Sequence, residues 1–288
     1  MRILTTILIL LLAITAGPAE AATDTTGGRA DDAADVLAPF VAVYEARATV
    51  LGLGGEVVME FGPAGEPGVY VFRTVSQPRG LAGLLADEEV ECSLLHYENG
   101  RLSPLVYHEN AGDDSSTIRF DWRKTSAIAQ YKDREATLEI EPGVLDRASE
   151  QIAVRLDLAD GEPGLGPYRT DRASEQIAVR LDLADGEPGL GPYRTIERNE
   201  YRTIEYEPEG SAEVSAPAGT YETLAFRRHR VGSSRSVVIH YAPELDWIAV
   251  KIEQFKGDKK QVTALLKRYR PGQPGADQAR GSVTPRCP

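Results

Sequence analysis

A chain whose oily and wet side chains alternate at every second residue buries the oily ones most simply as extended strands with one face against a core. Several segments of this sequence obey that rule. Tyr44, Ala46, Ala48 and Val50 alternate with Glu45, Arg47 and Thr49. Ile118, Phe120 and Trp122 alternate with Arg119, Asp121 and Arg123, and Ala136, Leu138 and Ile140 alternate with Glu135, Thr137 and Glu139. An antiparallel sheet with one solvated side needs this pattern, whereas parallel strands covered on both faces read as continuous apolar runs. The expected fold is therefore mainly β: a single curved antiparallel sheet or half-open barrel of roughly ten strands, with one or two short helices.

Turn chemistry punctuates the alternating runs. Gly54-Gly55, Asn99-Gly100, Pro217 to Gly219 and Gly257-Asp258 fall between them. Asn-Gly is a strong hairpin signal, so residues 92–98 and 102–108 are expected to pair as neighbours. Three stretches look less extended. Residues 80–87 space Leu81, Leu84 and Leu85 for one helical turn or a lid. Residues 260–269 read as a terminal helix or a last strand.

The third stretch belongs to an internal repeat. Residues 146–170 read DRASEQIAVRLDLADGEPGLGPYRT, and residues 171–195 repeat them letter for letter. Repeats that stack into solenoids diverge at exposed positions and need about three units to close a core. Two perfect copies instead read as a recent duplication in the gene or an error of assembly. One copy is expected to be surplus and peripheral, because a loop pays little entropy for added length. Each copy opens with Asp, a good N-cap, with Glu150 placed to assist the first turn of the first copy. Ala148, Ile152 and Leu156 fit a helix, while Ile152, Val154, Leu156 and Leu158 fit a strand equally well. The prevalence of Ala, Leu, Arg and Glu favours the helix.

The start of the chain carries Arg2, an apolar stretch from Ile3 to Ala16, then Gly17-Pro18 and the small-residue triplet Ala19-Glu20-Ala21. That order describes a secretory signal over residues 1–21, too short and too soon broken to span a bilayer. A polar linker (22–38), a β-rich domain containing the repeat (39–269) and a disordered tail (270–288) complete the expected organisation. Only Cys92 and Cys287 are present. In an oxidising compartment the two form a bond, or they stay as unpaired thiols. Either way packing must hold the core, since disulfide-stapled domains carry several pairs.

The formal net charge of −12 argues against nucleic acid or a membrane surface as partner. With 42% hydrophobic and 26% charged residues, the composition is that of an ordinary globular chain.

Five stretches resemble the bacterial periplasmic proteins grouped as domain-of-unknown-function family 3108. They are GRLSPLVYHEN at 100–110, IRFDW at 118–122, Asp146 with Ser149 before an apolar run, APAGTYETL at 216–224 and APELDWIAVKIE at 242–253. The resemblance spans residues 39–269 and rests on turns and strand starts. It implies an exported β-rich domain without an established activity, similar to half-open barrels that hold acyl chains in a concave sheet. Two departures stand out: Ala249 replaces a proline of the family pattern, and the segment 146–170 is doubled.

No catalytic, cofactor-binding or metal residue is assigned. His96, His108, His229 and His240 lie in no zinc-ligand spacing. His96 and His108 either face each other across the Asn-Gly hairpin or decorate a wet sheet face. Ser233, Ser234 and Ser236 lack the turn motif that exposes a nucleophile. Arg227, Arg228, His229 and Arg230 form an anion site or guard a strand edge. The leading expectation is a non-catalytic periplasmic protein whose concave sheet holds a lipid or other apolar ligand, in a cavity on the order of several hundred Å³. Stable membrane insertion is not expected. The alternatives are an envelope scaffolding protein and a hydrolase acting on envelope material.

Overall fold

A computed structural model describes residues 36–49, 53–84, 87–160, 190–272 and 287. The expected signal segment, most of the linker and tail, Val50, and much of the second repeat copy lie outside them.

Eight strands run up and down in sequence order: β1 (Phe40–Ala48), β2 (Gly54–Pro63), β3 (Val69–Arg79), β4 (Glu89–Glu98), β5 (Arg101–Asn110), β6 (Ser116–Asp121), β7 (Ser126–Tyr131) and β8 (Arg134–Glu139). A two-residue strand, β9 (Leu145–Asp146), leads into the helix α1 (Arg147–Asp160). The second half returns through β10 (Tyr193–Glu197), β11 (Glu200–Ala216), β12 (Gly219–Arg230), β13 (Arg235–Ala242), β14 (Ile248–Lys256) and β15 (Lys259–Pro271). All belong to one 15-stranded sheet in which β1 pairs with β15, so the two meanders join at the middle and β8 and β9 form the edges. Pairing is antiparallel except between β9 and β10.

The two edges are close in sequence, and side chains tie them. The Tyr201 hydroxyl donates to the Glu139 carbonyl, and Arg194 pairs with Glu141. Bulges at Val43/Tyr44, Leu94/Leu95, Pro208/Gly210, His240/Tyr241 and Gln254/Phe255 bend the strands between these edges. The result is a half-closed barrel, in line with the expected architecture. The strand count exceeds the expected ten, because several turns carry neither Gly nor Pro. Thr125, Lys132 and Arg198 adopt positive φ at three of them.

The Asn99-Gly100 hairpin forms as expected, with both turn residues at positive φ. Residues 259–271 are a strand, not a helix, and Gly80–Leu84 form a short 3-10 turn. Cys92, buried on β4, is joined to Cys287 by a disulfide.

α1 sits inside the hollow of the sheet. Its buried residues point every way round, including Ala148, Ile152, Val154 and Leu158 as well as Ser149, Glu150 and Arg155. A helix buried all round has no wet face to print a 3.6-residue rhythm, which is why its sequence suits a strand equally well. Burying Ile152, Val154 and Leu158 stabilises the fold by roughly 1.5–3 kcal/mol each.

The N-cap is Asp146, whose Oδ1 accepts from the backbone N–H groups of Ala148 and Ser149, both at 2.8 Å. Ser149 returns the favour by accepting from the Asp146 N–H at 2.9 Å, a reciprocal cap. Glu150, expected to assist that turn, is instead buried and paired with Arg228.

The fold draws on both repeat copies. The helix comes from the first because the buried Val144 and Leu145 precede it, and Leu145 pairs with Thr195. Tyr193 to Thr195 come from the second because Ile196 and Glu197 follow them and complete the β10–β11 hairpin. The flanking sequence divides the described roles between the copies; the expectation of one surplus, peripheral copy falls on residues 161–189, outside the described residues.

Candidate functional site

Between α1 and the inner face of the sheet lies a cavity of about 190 Å³. Its wall alternates inward along each strand. An aliphatic ladder crosses three strands, Ala264 opposite Ile252 and Ile252 opposite Ile239. Tyr44, Val57 and Met59 continue the lining on β1 and β2, with Ile152 of α1 above them. The volume is below the several hundred Å³ expected, so the space suits one slender apolar group. A second cavity of about 90 Å³ shares Val57, Ser76, Glu89 and Val262 with the first and extends past the 3-10 turn. Leu81, on that turn, is largely exposed.

Charge is arranged unevenly around this apolar hollow. Arg147 donates to Glu91 at 2.7 Å and Glu109 at 3.3 Å. Arg228 grips Glu150 through two parallel hydrogen bonds of 2.8 and 2.7 Å, and Tyr206 adds a third to that carboxylate at 2.8 Å. Arg155 differs. Its Nε and Nη2 donate to the backbone carbonyl of Asp246 at 3.2 and 2.8 Å, its guanidinium lies 4.7 Å from the Phe40 ring centre, and its Nη1 is buried without a hydrogen-bond partner. Burial lowers its pKa, opposed by the nearby Tyr269 and Asp246.

At the other end, burial raises the Glu89 carboxyl to about 7 against the pull of Arg147. Glu89 Oε2 and Thr74 Oγ1, both lining the cavity, are also without partners.

The basic run on β12 is split by strand alternation. Arg228 and Arg230 point inward and are buried. Arg227 pairs with Glu209, and His229 lies 3.0 Å from Glu205. β12 is flanked by β11 and β13, so the expected edge-guarding role does not apply. Arg230 has no hydrogen-bond partner for any of its three nitrogens, but unpartnered Thr195 Oγ1, Glu197 Oε1 and Arg202 Nε share its interior face through the β10–β11–β12 register. Donors and acceptors mixed in this way can be satisfied jointly by water.

The histidines are dispersed. His96 stands opposite Ser103 and His108 opposite Cys92, so they do not face each other across the hairpin. His108 meets only the Thr117 hydroxyl at 3.1 Å among the hydrogen-bonding side chains around it. His240 lies between Thr223, at 3.4 Å, and Glu253, at 3.8 Å, a hydroxyl, imidazole and carboxylate in a row that the sequence did not advertise. That row is structural: Thr223 is 0% exposed and spends its proton on the Ala212 carbonyl at 2.7 Å, while Glu253 is held by Lys251 and Lys260. No histidine lines either cavity. Ser233 and Ser236 serve a turn and a strand, Ser233 Oγ accepting from Arg235 N and Ser236 Oγ from Arg227. Among the described residues no group of three His, Cys, Asp or Glu is placed to hold a metal ion. No helix among them is long and apolar enough to cross a membrane.

Fold and cavity define a half-closed, barrel-like β protein whose hollow holds one helix and an apolar space. No family model matches the chain, and no curated protein matches it. Solved structures do. One is a β-barrel-like protein of domain of unknown function DUF1849 from Brucella abortus, at 9% identity and a TM-score of 0.46 over 81% of this chain and 97% of that one. Another, from Bacteroides fragilis, is assigned as exported with a YmcC-like fold, at 12% identity and a TM-score of 0.35 over 80% and 95%. A third, from Parabacteroides distasonis, is assigned as a lipoprotein, at 11% identity and a TM-score of 0.33 over 81% and 95%.

Ala249 falls inside the sheet, on β14. It sits at the β13–β14 bulge, a position where a missing N–H is tolerated.

Proposed function

We propose that the protein is an exported, non-catalytic binding protein of the periplasm that holds one apolar group between α1 and the concave sheet. The observation that carries this reading is the cavity itself: a mainly aliphatic and aromatic surface, continuous with a smaller outer space, with charged groups such as Arg147, Arg155, Arg228 and Glu89 set around it. The Cys92–Cys287 disulfide supports an oxidising compartment, as does the signal-like start of the chain. The motifs resembling family 3108 point the same way.

Native mass spectrometry of protein purified from its host envelope, beside binding of the fluorescent apolar probe N-phenyl-1-naphthylamine, tests the reading. Wild type is expected to carry an apolar adduct and to enhance probe fluorescence. Ala264→Trp, which fills the cavity, is expected to lose both. A protein free of adduct whose probe signal is indifferent to the filling substitution would refute it.

A further inference from the structure

The three cavity arginines are not equivalent. Arg147 and Arg228 each face carboxylates within ion-pair distance. Arg155, 95% buried by its 5% exposure, makes no ion pair among the described residues and has only a carbonyl for two of its nitrogens. The Asp246 carboxylate influences the guanidinium but is not in ion-pair contact with it, and Nη1 has no hydrogen-bond partner among the described residues. Burying a cation whose counter-charge is not in contact is costly, and a ligand that brings a carboxylate to Nη1 supplies the missing contact. The surroundings fit that task. Tyr44, Tyr241 and Tyr269 lie close enough for their hydroxyls to influence the guanidinium, and the Phe40 ring braces it. The acidic groups that influence Glu89 are a different set, Glu91, Glu109 and Asp114. The hollow therefore has Arg155 alone among arginines at one end and, at the other, a mixed cluster of Glu89, Glu91 and Arg147, where the outer cavity begins.

We propose that Arg155 anchors the head of a carboxylate-bearing amphiphile, which enters head first and leaves its alkyl chain along the Ile252–Ile239 ladder toward Glu89. A carboxylate is favoured over a bulkier head because a single nitrogen, Nη1, is free to receive it. Arg230 does not carry the same inference, since unpartnered acceptors accompany it.

This rests on the apolar-ligand reading, and the test separates the two. Octanoate and 1-octanol, equal in chain length, are titrated into the delipidated full-length protein at pH 8 by displacement of the naphthylamine probe. The wild type is expected to bind octanoate at least tenfold more tightly than octanol. Arg155→Met is expected to abolish that preference while keeping octanol, and Arg155→Lys to restore part of it. Equal affinity of wild type for acid and alcohol overturns the role of Arg155 and leaves the cavity reading standing. A preference that survives in Arg155→Met overturns it as well. Binding of neither compound removes the cavity reading, and the anchor with it. Should Arg155→Met fail to fold, the comparison of acid with alcohol on wild type decides alone.

Discussion

Arg228 on β12 and Glu150 on α1, 78 residues apart, form a bidentate ion pair inside the barrel, with Nε to Oε1 at 2.8 Å and Nη2 to Oε2 at 2.7 Å. Glu150 is fully buried and Arg228 nearly so, and the pair pins the helix to β12 at the edge of the cavity, which Arg228 also lines. Removing one partner strands the other charge in a low-dielectric interior. Glu150→Leu and Arg228→Met are each expected to destabilise the fold by about 3–5 kcal/mol. The double variant, which leaves no lone charge at this pair while Arg147 and Arg230 still act on Glu197, should recover most of that loss. Urea denaturation of the four proteins gives the cycle, and single losses below about 1 kcal/mol would mean that the pair is solvated.

The disulfide spans a sequence separation of 195 residues and ties Cys287 to β4. In the chain-entropy account such a cross-link limits the unfolded ensemble by roughly 5 kcal/mol, less whatever structure the reduced chain retains. Cys92→Ser and Cys287→Ser are expected to lower stability by about 2–5 kcal/mol, and alike. Unequal effects would point to the cavity left at the fully buried Cys92 rather than to the lost link.

Burial pushes up the pKa of Glu89 from 4.5 to about 7 and of Asp146 from 3.8 to about 6, and it also raises those of Glu109 and Glu197. Each holds its proton in the folded state over a range where the unfolded chain has lost it. Their contribution to stability is therefore full below about pH 4 and is lost as pH rises toward 7. Groups with lowered values, such as Glu56 and Asp114 in their surface ion pairs, act in the opposite sense, gaining as pH rises through the ordinary carboxylate range. Stability is expected to decline between pH 5 and pH 8, and Glu89→Gln to decline less while being the more stable of the two at pH 8. Parallel curves for the two proteins would show that Glu89 is ionised throughout.

The strands were legible because alternation is a local property, and β1, β6 and the β4–β5 hairpin lie where it placed them. The count fell short where turns at Thr125, Lys132 and Arg198 use residue types that seldom take positive φ. The helix was ambiguous for a physical reason. Ile152, Val154 and Leu158 are all at 0% exposure, and a segment surrounded on every side loses the periodicity that tells a helix from a strand. The site was not legible at all. Arg155 carried no signal, Glu150 read as a helper of the first helical turn and Arg228 as part of an anion site or an edge guard, and only a closing sheet brings together groups as distant as Arg155 and Asp246.

The repeat offers the sharpest test of how flanking sequence chooses among identical segments. Deleting residues 161–185 joins Asp160 to Gly186 and leaves DRASEQIAVRLDLADGEPGLGPYRT once. The connection from α1 to Leu190 then shortens from residues 161–189 to residues 186–189, roughly three halvings of its length. Every described contact of α1 and β10 is kept, because Val144-Leu145 still precede the helix and Ile196-Glu197 still follow the strand. Loop-closure entropy alone makes the shortened chain about 1–2 kcal/mol more stable. Its urea midpoint is expected to rise with an unchanged slope, and its binding of the naphthylamine probe to match that of the full chain. A loss of stability greater than about 1 kcal/mol would show that the excised residues pack against the barrel, and that the duplication has become part of the fold.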